Sequence, residues 1–236
     1  MKKNYDIIVF DLDGTITASD LGITNSIKYA LNYFGLEKDN ESLKRHIGPA
    51  LSATFREYVG DDEEKIQLAI KKYREYYVDQ GGMLENEVYE GVEETLKEIK
   101  NRGKKIILAS SKPMVFCEKI LQHFKLDKYF DFIGGSNLDE TRCKKVEVIT
   151  YSLENIGEVP GANVLMVGDR EYDILGAKEL GIDSVGVLFG YGDKEELENA
   201  EATYIIEKMT DILERRGPDS EGIYESENVL LGHRRL

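Results

Sequence analysis

Hydrophobic positions follow two different patterns along this chain of 236 residues. Beyond residue 90, short apolar runs alternate with segments whose apolar residues recur every three or four positions, as in strands alternating with helices. Strands and helices in this order need right-handed crossovers, so they predict an α/β fold with a doubly wound, Rossmann-like parallel sheet. The predicted strands are residues 7–10, 106–109, 132–133, 164–167 and 184–188.

Between the first strand and residue 91 the pattern is purely helical. Apolar and aromatic residues share one helix face over residues 23–34 and again over residues 66–77. The second stretch carries Tyr73, Tyr76 and Tyr77, an aromatic stripe typical of the core of a helical bundle. The predicted division is a core of residues 1–16 and 83–214, an inserted helical-bundle domain of residues 17–82, and a tail of residues 215–236 to which we assign no function.

Composition and charge narrow the class of partner. The formal net charge is -14 and the pI is near 4.8, which makes nucleic acid a poor partner because affinity for it comes largely from basic residues. No segment resembles a signal peptide or the run of ~18 apolar residues that a membrane span needs. Cys117 and Cys143 follow no metal-ligand spacing, and we expect reduced thiols. We therefore predict a cytoplasmic protein without a nucleic-acid or membrane partner.

Acidic residues follow two of the predicted strands. Asp11 and Asp13 come directly after the first strand, and Asp169 and Asp173 follow the strand at residues 164–167. Because the carboxyl ends of parallel strands meet at one edge of a sheet, we expect these side chains to lie close together. Two like charges about 5 Å apart repel by roughly 3 kcal/mol at an effective dielectric constant of 20, so the cluster needs a cation. A site rich in oxygen atoms fits Mg²⁺.

Two further segments bring hydroxyl and ammonium groups to the same edge of the sheet. Ser110 and Ser111 follow the second predicted strand, and Lys144 and Lys145 open a helix after the third. Such groups can hold a phosphoryl group. Together with a carboxylate nucleophile, a second carboxylic acid and a divalent cation, they are the parts of in-line phosphoryl transfer through an aspartyl-phosphate. In that reaction Asp11 would attack phosphorus, Asp13 would act as general acid and base, and Asp169 would help to hold the metal.

Several of these residues also have a simpler structural interpretation. Either serine could cap a helix that begins at Pro113. The two lysines could be a solvated pair on an exposed helix face. Asp173 could interact with the dipole of a helix N-terminus instead of with a metal ion. The sequence leaves these alternatives open, as it does the question of which lysine contacts a phosphoryl group.

Four motifs, taken together and in order, resemble those of the haloacid dehalogenase superfamily of phosphohydrolases. The resemblance covers roughly residues 5–214, and the inserted helices look like the helical cap of the phosphoglycolate phosphatase and 5'-nucleotidase-like branch of that superfamily. The motifs are Asp11-Leu12-Asp13-Gly14-Thr15, Ser110, Lys145 and Gly168-Asp169-Arg170-Glu171-Tyr172-Asp173.

The resemblance implies a role for each matching residue. Asp11 would be the nucleophile and Asp13 the acid and base, while Ser110 and Lys145 would bind the phosphoryl group, with Ser111 beside them. Mg²⁺ would be held by Asp11, the main-chain carbonyl of Asp13, and Asp169. The resulting hypothesis is a Mg²⁺-dependent phosphatase for a small-molecule phosphate monoester. The alternatives are a phosphomutase of the β-phosphoglucomutase type and, in another class, a receiver-like signalling module that accepts a phosphoryl group. The sequence leaves the ester and the oligomeric state open.

Overall fold

The computed structural model describes residues 4–139 and 141–214, and its centre is a sheet of six parallel strands. The strands of the described residues are β1 (Ile7–Phe10), β2 (Thr17–Ala18), β3 (Glu87–Val88), β4 (Lys105–Pro113), β5 (Phe132–Ser136), β6 (Val164–Gly168), β7 (Asp183–Val187) and β8 (Tyr204–Ile206). Across the sheet their order is β5-β4-β1-β6-β7-β8. The parallel pairing and this order confirm the predicted α/β, Rossmann-like fold class.

β1 lies in the middle of the sheet, between β4 and β6. All four of its residues are buried. Because successive side chains of a strand point to opposite faces, Ile8 and Phe10 pack in one hydrophobic cluster while Ile7 and Val9 pack in another. The apolar run without alternation therefore reflects a strand that is covered on both faces.

Helices cover the two faces of the sheet. Residues of α5 (Val92–Asn101) and α6 (Met114–His123) pack in the cluster that contains Phe10. Residues of α7 (Lys145–Asn155) and α8 (Glu171–Glu179) pack in the cluster that contains Val9. The α-helices of the described residues are α1 (Asp20–Tyr33), α2 (Asn40–Leu43), α3 (Leu51–Val59), α4 (Glu63–Arg74), α5 (Val92–Asn101), α6 (Met114–His123), α7 (Lys145–Asn155), α8 (Glu171–Glu179), α9 (Lys194–Asn199) and α10 (Asp211–Glu214).

Helices α1 to α4 form a second group, which we call the helical block (residues 20–84). A π-helical turn (Glu75–Asp79) and a 3₁₀ turn (Gly82–Leu84) complete it. The block has its own hydrophobic cluster, in which the rings of Tyr73 and Tyr77 stack with centroids 5.3 Å apart. The antiparallel pair of β2 and β3 flanks the block on both sides in sequence. The division into core, inserted domain and tail stays a prediction, and the tail lies outside the described residues.

Three short strands are absent from the prediction. β2 and β3 have two residues each and β8 has three. Strands this short show no apolar alternation that would distinguish them from the neighbouring loops. β5 is longer than predicted because Gly134 and Gly135 continue it without adding an apolar side chain. Within the described residues, no helix combines the length and the hydropathy that crossing a membrane would require.

Candidate active site

The carboxyl ends of β1 and β6 bring Asp11 and Asp169 to one edge of the sheet. The two strands are parallel neighbours, with Phe10 opposite Val167. The N–H of Asp11 donates to the carbonyl of Val167 at 2.9 Å, which extends this pairing by one residue. Both acids therefore follow directly from the strand register, as the sequence predicted.

The loop after Asp11 folds tightly against Asp169. The Leu12 carbonyl accepts bonds from the N–H groups of Thr15, Ile16 and Thr17, at 3.2, 2.9 and 3.0 Å. Gly14 has φ +82°, and a Cβ placed there would lie 2.1 Å from Asp169 Oδ2. Glycine is thus required both by backbone conformation and by space. The Thr15 hydroxyl donates to Asp169 Oδ1 at 3.3 Å, which ties the loop to this carboxylate.

Three carboxylates form a cluster at this edge. Oxygen atoms of Asp11, Asp169 and Asp173 lie within 4.8 Å of one another. Burial, followed by the charges of Asp173 and Asp11, raises the pKa of Asp169 well above its ordinary value. Burial also raises the pKa of Asp173 to about 6, although Lys145 opposes this shift. Buried carboxyl oxygens this close are suitable ligands for a hard divalent cation such as Mg²⁺.

Asp173 serves two structural purposes at once. One carboxylate oxygen accepts a bond from the N–H of Arg170 at 3.1 Å and so caps α8, while the other lies 2.7 Å from Lys145 Nζ. Of the predicted metal ligands, the side chains of Asp11 and Asp169 are in the cluster. The carboxylate of Asp13, which was predicted to act as acid and base, contacts a lysine. The role of the Asp13 carbonyl as a metal ligand stays a prediction.

Lys145 bridges two members of this cluster, Asp11 and Asp173. Its ammonium lies 2.9 Å from Asp11 Oδ1 and 2.7 Å from Asp173 Oδ1, and it donates to the carbonyl of Ala109 at 3.1 Å. Burial opposes the positive charge, but the carboxylates of Asp11 and Asp173 outweigh it and raise the pKa of Lys145. Lys144, by contrast, is exposed at the N-terminus of α7. The structure therefore places Lys145, and not its neighbour, at the site.

Ser110 and Ser111 lie in the last part of β4 and line the cavity above the carboxylates. The hydroxyl of Ser110 accepts a bond from the N–H of Lys112 at 3.3 Å. The following helix begins at Met114, after Pro113, and has no side-chain cap. The simpler interpretation of the serines as helix caps is therefore not supported, and both lie where the phosphoryl ligands were predicted.

Lys112 is a site residue that sequence reasoning missed. Its ammonium donates to both carboxylate oxygens of Asp13, at 2.7 and 2.6 Å, and it lines the same cavity. In the sequence Lys112 stands between a serine and a proline and gives no periodic signal. The only available indication was its position two residues after Ser110.

The helical block covers this edge of the sheet and encloses a cavity of about 150 Å³. Two hydrogen bonds join the block to the sheet side and a third is made by the residue just before the block; the sequence predicted none of them. Arg170 Nη1 donates to the Ile47 carbonyl at 2.9 Å, and Arg74 Nη2 donates to the Leu138 carbonyl at 2.6 Å. The Tyr191 hydroxyl accepts from the N–H of Ser19 at 2.6 Å. Residues of the block that line the cavity include Ile23, His46, Gly48, Pro49, Tyr73 and Tyr77.

A parallel sheet whose central strand ends in a carboxylate, beside further carboxylates and a buried lysine, defines an α/β enzyme of the phosphoryl-transfer class. The sequence model of the haloacid dehalogenase-like hydrolases matches residues 8–187, and the chain belongs to this family.

Three relatives show how far the similarity extends. A 5'-nucleotidase from Pseudomonas aeruginosa is 40% identical over 201 residues, which cover 85% of this chain and 90% of the relative. Tyrosine-protein kinase PtkA from Mycobacterium tuberculosis is 34% identical over 210 residues, 88% of this chain and 70% of the relative. A predicted phosphatase from Clostridium acetobutylicum, known from its crystal structure, is 44% identical in sequence. The match covers 90% of this chain and 100% of the other, with a TM-score of 0.84. These findings confirm the predicted family and the predicted enzyme class, a phosphatase.

Proposed function

We propose that this enzyme is a Mg²⁺-dependent phosphatase that hydrolyses a small-molecule phosphate monoester through an aspartyl-phosphate on Asp11. The position of Asp11 is the observation that carries the proposal. Its carboxylate lines the cavity, 2.9 Å from the Lys145 ammonium and within 4.8 Å of carboxylate oxygens of Asp169 and Asp173. Positive charge on both sides of this carboxylate, from the lysine and a bound cation, lets it approach an anionic phosphoryl group.

The proposed reaction has two steps. In the first, an Asp11 oxygen forms a bond to phosphorus while the bond from phosphorus to the ester oxygen breaks, and Asp13 gives that oxygen a proton so that it leaves as an alcohol. In the second, the Asp13 carboxylate takes a proton from a water molecule that attacks the aspartyl-phosphate. Inorganic phosphate leaves and Asp11 is restored. Ser110, Ser111 and Lys145 would hold the phosphoryl oxygens during both steps.

The charges around the cavity support a divalent cation. Four carboxylates and two ammonium groups leave two negative charges in excess, which one divalent ion balances. When bound, Mg²⁺ would supply charge neutralisation for the phosphoryl oxygens. Asp11 and Asp169 would hold it, with Asp173 as a third carboxylate and the Asp13 carbonyl as a further oxygen ligand.

The proposed location is the cytoplasm and the proposed substrate is a small soluble molecule. A net charge of -14 disfavours nucleic acid and anionic membranes as partners. The sequence-based alternatives differ in the fate of the phosphoryl group. A phosphomutase would return it to a sugar phosphate, and a receiver-like module would keep it for minutes or longer. The relative named as a tyrosine-protein kinase adds transfer to a tyrosine hydroxyl as an outcome to be tested.

The test is a panel of phosphate esters assayed with Mg²⁺ and with EDTA. It includes phosphoglycolate, nucleoside 5'-monophosphates, pyrophosphate, hexose phosphates and phosphotyrosine, and both inorganic phosphate and transferred phosphate are measured. We expect Mg²⁺-dependent release of inorganic phosphate from at least one ester, and an acid-quenched single turnover should leave a phosphoryl group on the peptide that contains Asp11. Transfer to a second organic molecule, or a phosphoprotein that persists for minutes, would replace this proposal with one of the alternatives.

Asp11→Asn provides the decisive variant. The amide is a poor nucleophile, so we expect loss of both turnover and the phosphorylated peptide, with the melting temperature retained. Asp61→Asn, at an exposed position of the helical block, is the matched control and should behave as the wild type. Near wild-type activity in Asp11→Asn would remove Asp11 from the nucleophile role.

A further inference from the structure

Lys112 is a buried lysine whose charge is directed at a single carboxylate. Its side chain is 7% exposed, and that of Asp13 is 13% exposed. The ammonium donates to both oxygens of Asp13, at 2.7 and 2.6 Å. Burial opposes the charge on the lysine, but Asp13 outweighs burial and the pKa of Lys112 is raised. The ion pair is therefore formed inside the site, where water screens it little.

The backbone of β4 is irregular at this point, and the irregularity orients Lys112. The pairing of β4 with β5 shifts register between Ser110 and Pro113, which marks a bulge. In a regular strand Ser110, Ser111 and Lys112 would alternate between faces, yet all three line the cavity. Bulges commonly re-aim a side chain next to an active site.

Both ends of Lys112 are held. The Ser110 hydroxyl accepts from its backbone N–H at 3.3 Å, and the Cys117 thiol lies 3.6 Å from its carbonyl oxygen. Its ammonium also lies 5.3 Å from the centre of the Tyr77 ring, on the helical block. An aromatic face stabilises a cation at this distance. The ammonium is thus fixed between Asp13 and the block.

The two site lysines have different partners. Lys145 uses three contacts, with Asp11, Asp173 and the Ala109 carbonyl. Lys112 contacts the carboxylate of Asp13 instead. One lysine therefore accompanies the candidate nucleophile and the other accompanies the candidate acid and base.

From this geometry we infer that Lys112 is a positioning residue, which fixes the plane of the Asp13 carboxyl group so that one oxygen faces the departing ester oxygen. The inference rests on the proposed function, in which Asp13 protonates that oxygen. A protonated carboxyl group has one O–H and one acceptor oxygen, so Lys112 can keep one bond while the O–H points at the leaving group. Loss of Lys112 should therefore lower the rate most for substrates whose leaving oxygen must be protonated.

The experiment compares two substrates that differ in this need. p-Nitrophenolate leaves without a proton, whereas the alkoxide of glycerol phosphate requires one. The measured quantity is kcat/KM, because it reports the steps up to transfer of the phosphoryl group to Asp11 and excludes the later hydrolysis. For Lys112→Met we expect a fall of about 10- to 100-fold with glycerol phosphate, part of the range that general acid catalysis provides. With p-nitrophenyl phosphate the fall should stay below about threefold, since the proton is not needed there.

Three further variants separate positioning from folding. Asp13→Asn should show the same split between substrates, and adding Lys112→Met to it should cost nothing more, since coupled residues are not additive. Lys112→Arg, which can also bind a carboxylate through two N–H groups, should restore most of the activity toward glycerol phosphate. Lys119→Met, the same substitution on the exposed face of α6, should have no effect.

Each outcome of these experiments supports or overturns the positioning role of Lys112. Equal losses on both substrates, no loss, or an additive double variant would overturn the role of Lys112, because a structural lysine would affect all substrates alike. If the wild type hydrolyses no ester, or if Asp11→Asn stays active, the proposed function itself fails and the positioning role falls with it.

Discussion

At the scale of single residues, two aspartates of one loop have different surroundings. Asp11 is 9% exposed and lies beside Lys145 and the carboxylate cluster. Asp13, two residues later, pairs with Lys112 at the wall of the cavity. The same side chain can therefore act as nucleophile in one position and as acid and base in the other, because the neighbours differ.

Asp13→Asn tests the second of these roles. The amide cannot donate the proton in the same way or accept it from water, so kcat for an alkyl phosphate should fall about 10²- to 10⁴-fold. Steady-state kinetics measures the fall, and circular dichroism should show an unchanged fold. A loss below tenfold would contradict acid and base catalysis by Asp13.

Gly14→Ala tests the contact between the loop and Asp169. A residue with a side chain is strained at φ +82°, and its Cβ would displace the Asp169 carboxylate. We expect the free energy of unfolding to fall by about 1 to 3 kcal/mol and the affinity for Mg²⁺, measured by calorimetry, to fall as well. Gly157→Ala is the control, because Gly157 has φ +74° but open space around it. It should lower stability and leave Mg²⁺ binding intact, and equal effects on binding would refute the steric argument.

At the scale of elements, the apolar pattern predicts the strands that are buried on both faces but not their irregular ends. β1 is predicted to the residue because its apolar run stops at Asp11. β4 extends beyond its apolar run through Ser110, Ser111 and Lys112, which carry no hydrophobic signal. The bulge there depends on pairing with β5, a contact between distant segments. Local sequence therefore predicts that an element exists, and tertiary pairing decides which way its last side chains point.

Arg170 links α8 to the helical block, and Arg170→Met should loosen that link. Its guanidinium donates to the Ile47 carbonyl at 2.9 Å and to Glu196 at 2.7 Å. A hydrogen bond of a charged group contributes about 1.5 to 3 kcal/mol, so kcat/KM should fall roughly tenfold or more if closure of the block is needed for catalysis. Steady-state kinetics on the best ester of the panel gives the measurement.

Arg102→Met is a matched control for that variant. Arg102 also donates to a carbonyl, that of Leu213, at 2.9 Å, and to a carboxylate, that of Glu98, at 2.9 Å. It precedes the amino end of β4 and does not line the cavity. It should leave kcat/KM unchanged. Equal losses in the two variants would show that the effect of Arg170 is one of general stability.

At the scale of the whole molecule, short motifs predict the residues that chemistry requires, and the contacts between separate parts escape prediction. Asp11, Asp13, Ser110, Lys145 and Asp169 all line or adjoin the cavity in the positions expected from the sheet edge. Lys112, Arg170 and Tyr191 could not be assigned, because their partners lie far away in sequence. The partners of Arg170 and Tyr191 become known when the helical block lies over the sheet, and the partner of Lys112 when β1 pairs with β4.

The buried carboxylates also affect the stability of the whole protein. The pKa of Asp173 is raised from 3.8 to about 6 and that of Asp169 is also raised well above its ordinary value, so the metal-free folded state holds protons that the unfolded chain has lost. Stability is therefore highest below pH 4 as far as these groups are concerned, and it falls as the pH rises through 6. The shift of Asp173 alone corresponds to about 3 kcal/mol.

The expected measurement is a melting temperature in EDTA that falls by several degrees between pH 5 and pH 7.5. Mg²⁺ should raise it more at pH 7.5 than at pH 5, because the ion binds ionised carboxylates and stabilises the folded state by mass action. Asp173→Asn should reduce the pH dependence in EDTA. A melting temperature in EDTA that does not change over this range would contradict the burial of these charges.

The contacts of Tyr191 connect the candidate metal site to the helical block. Its N–H donates to Asp169 Oδ2 at 2.8 Å, and its hydroxyl accepts from Ser19 at the entry to the helical block. Tyr191 thus contacts the Asp169 carboxylate through its main chain and the start of the helical block through its side chain. If an ion held at Asp169 favours the contact of Tyr191 with Ser19, thermodynamic reciprocity requires that this contact in turn strengthens binding of the ion. A tighter metal site would therefore also hold the helical block more firmly against the sheet, and an enzyme whose rate is limited by opening of that block would need a weaker one.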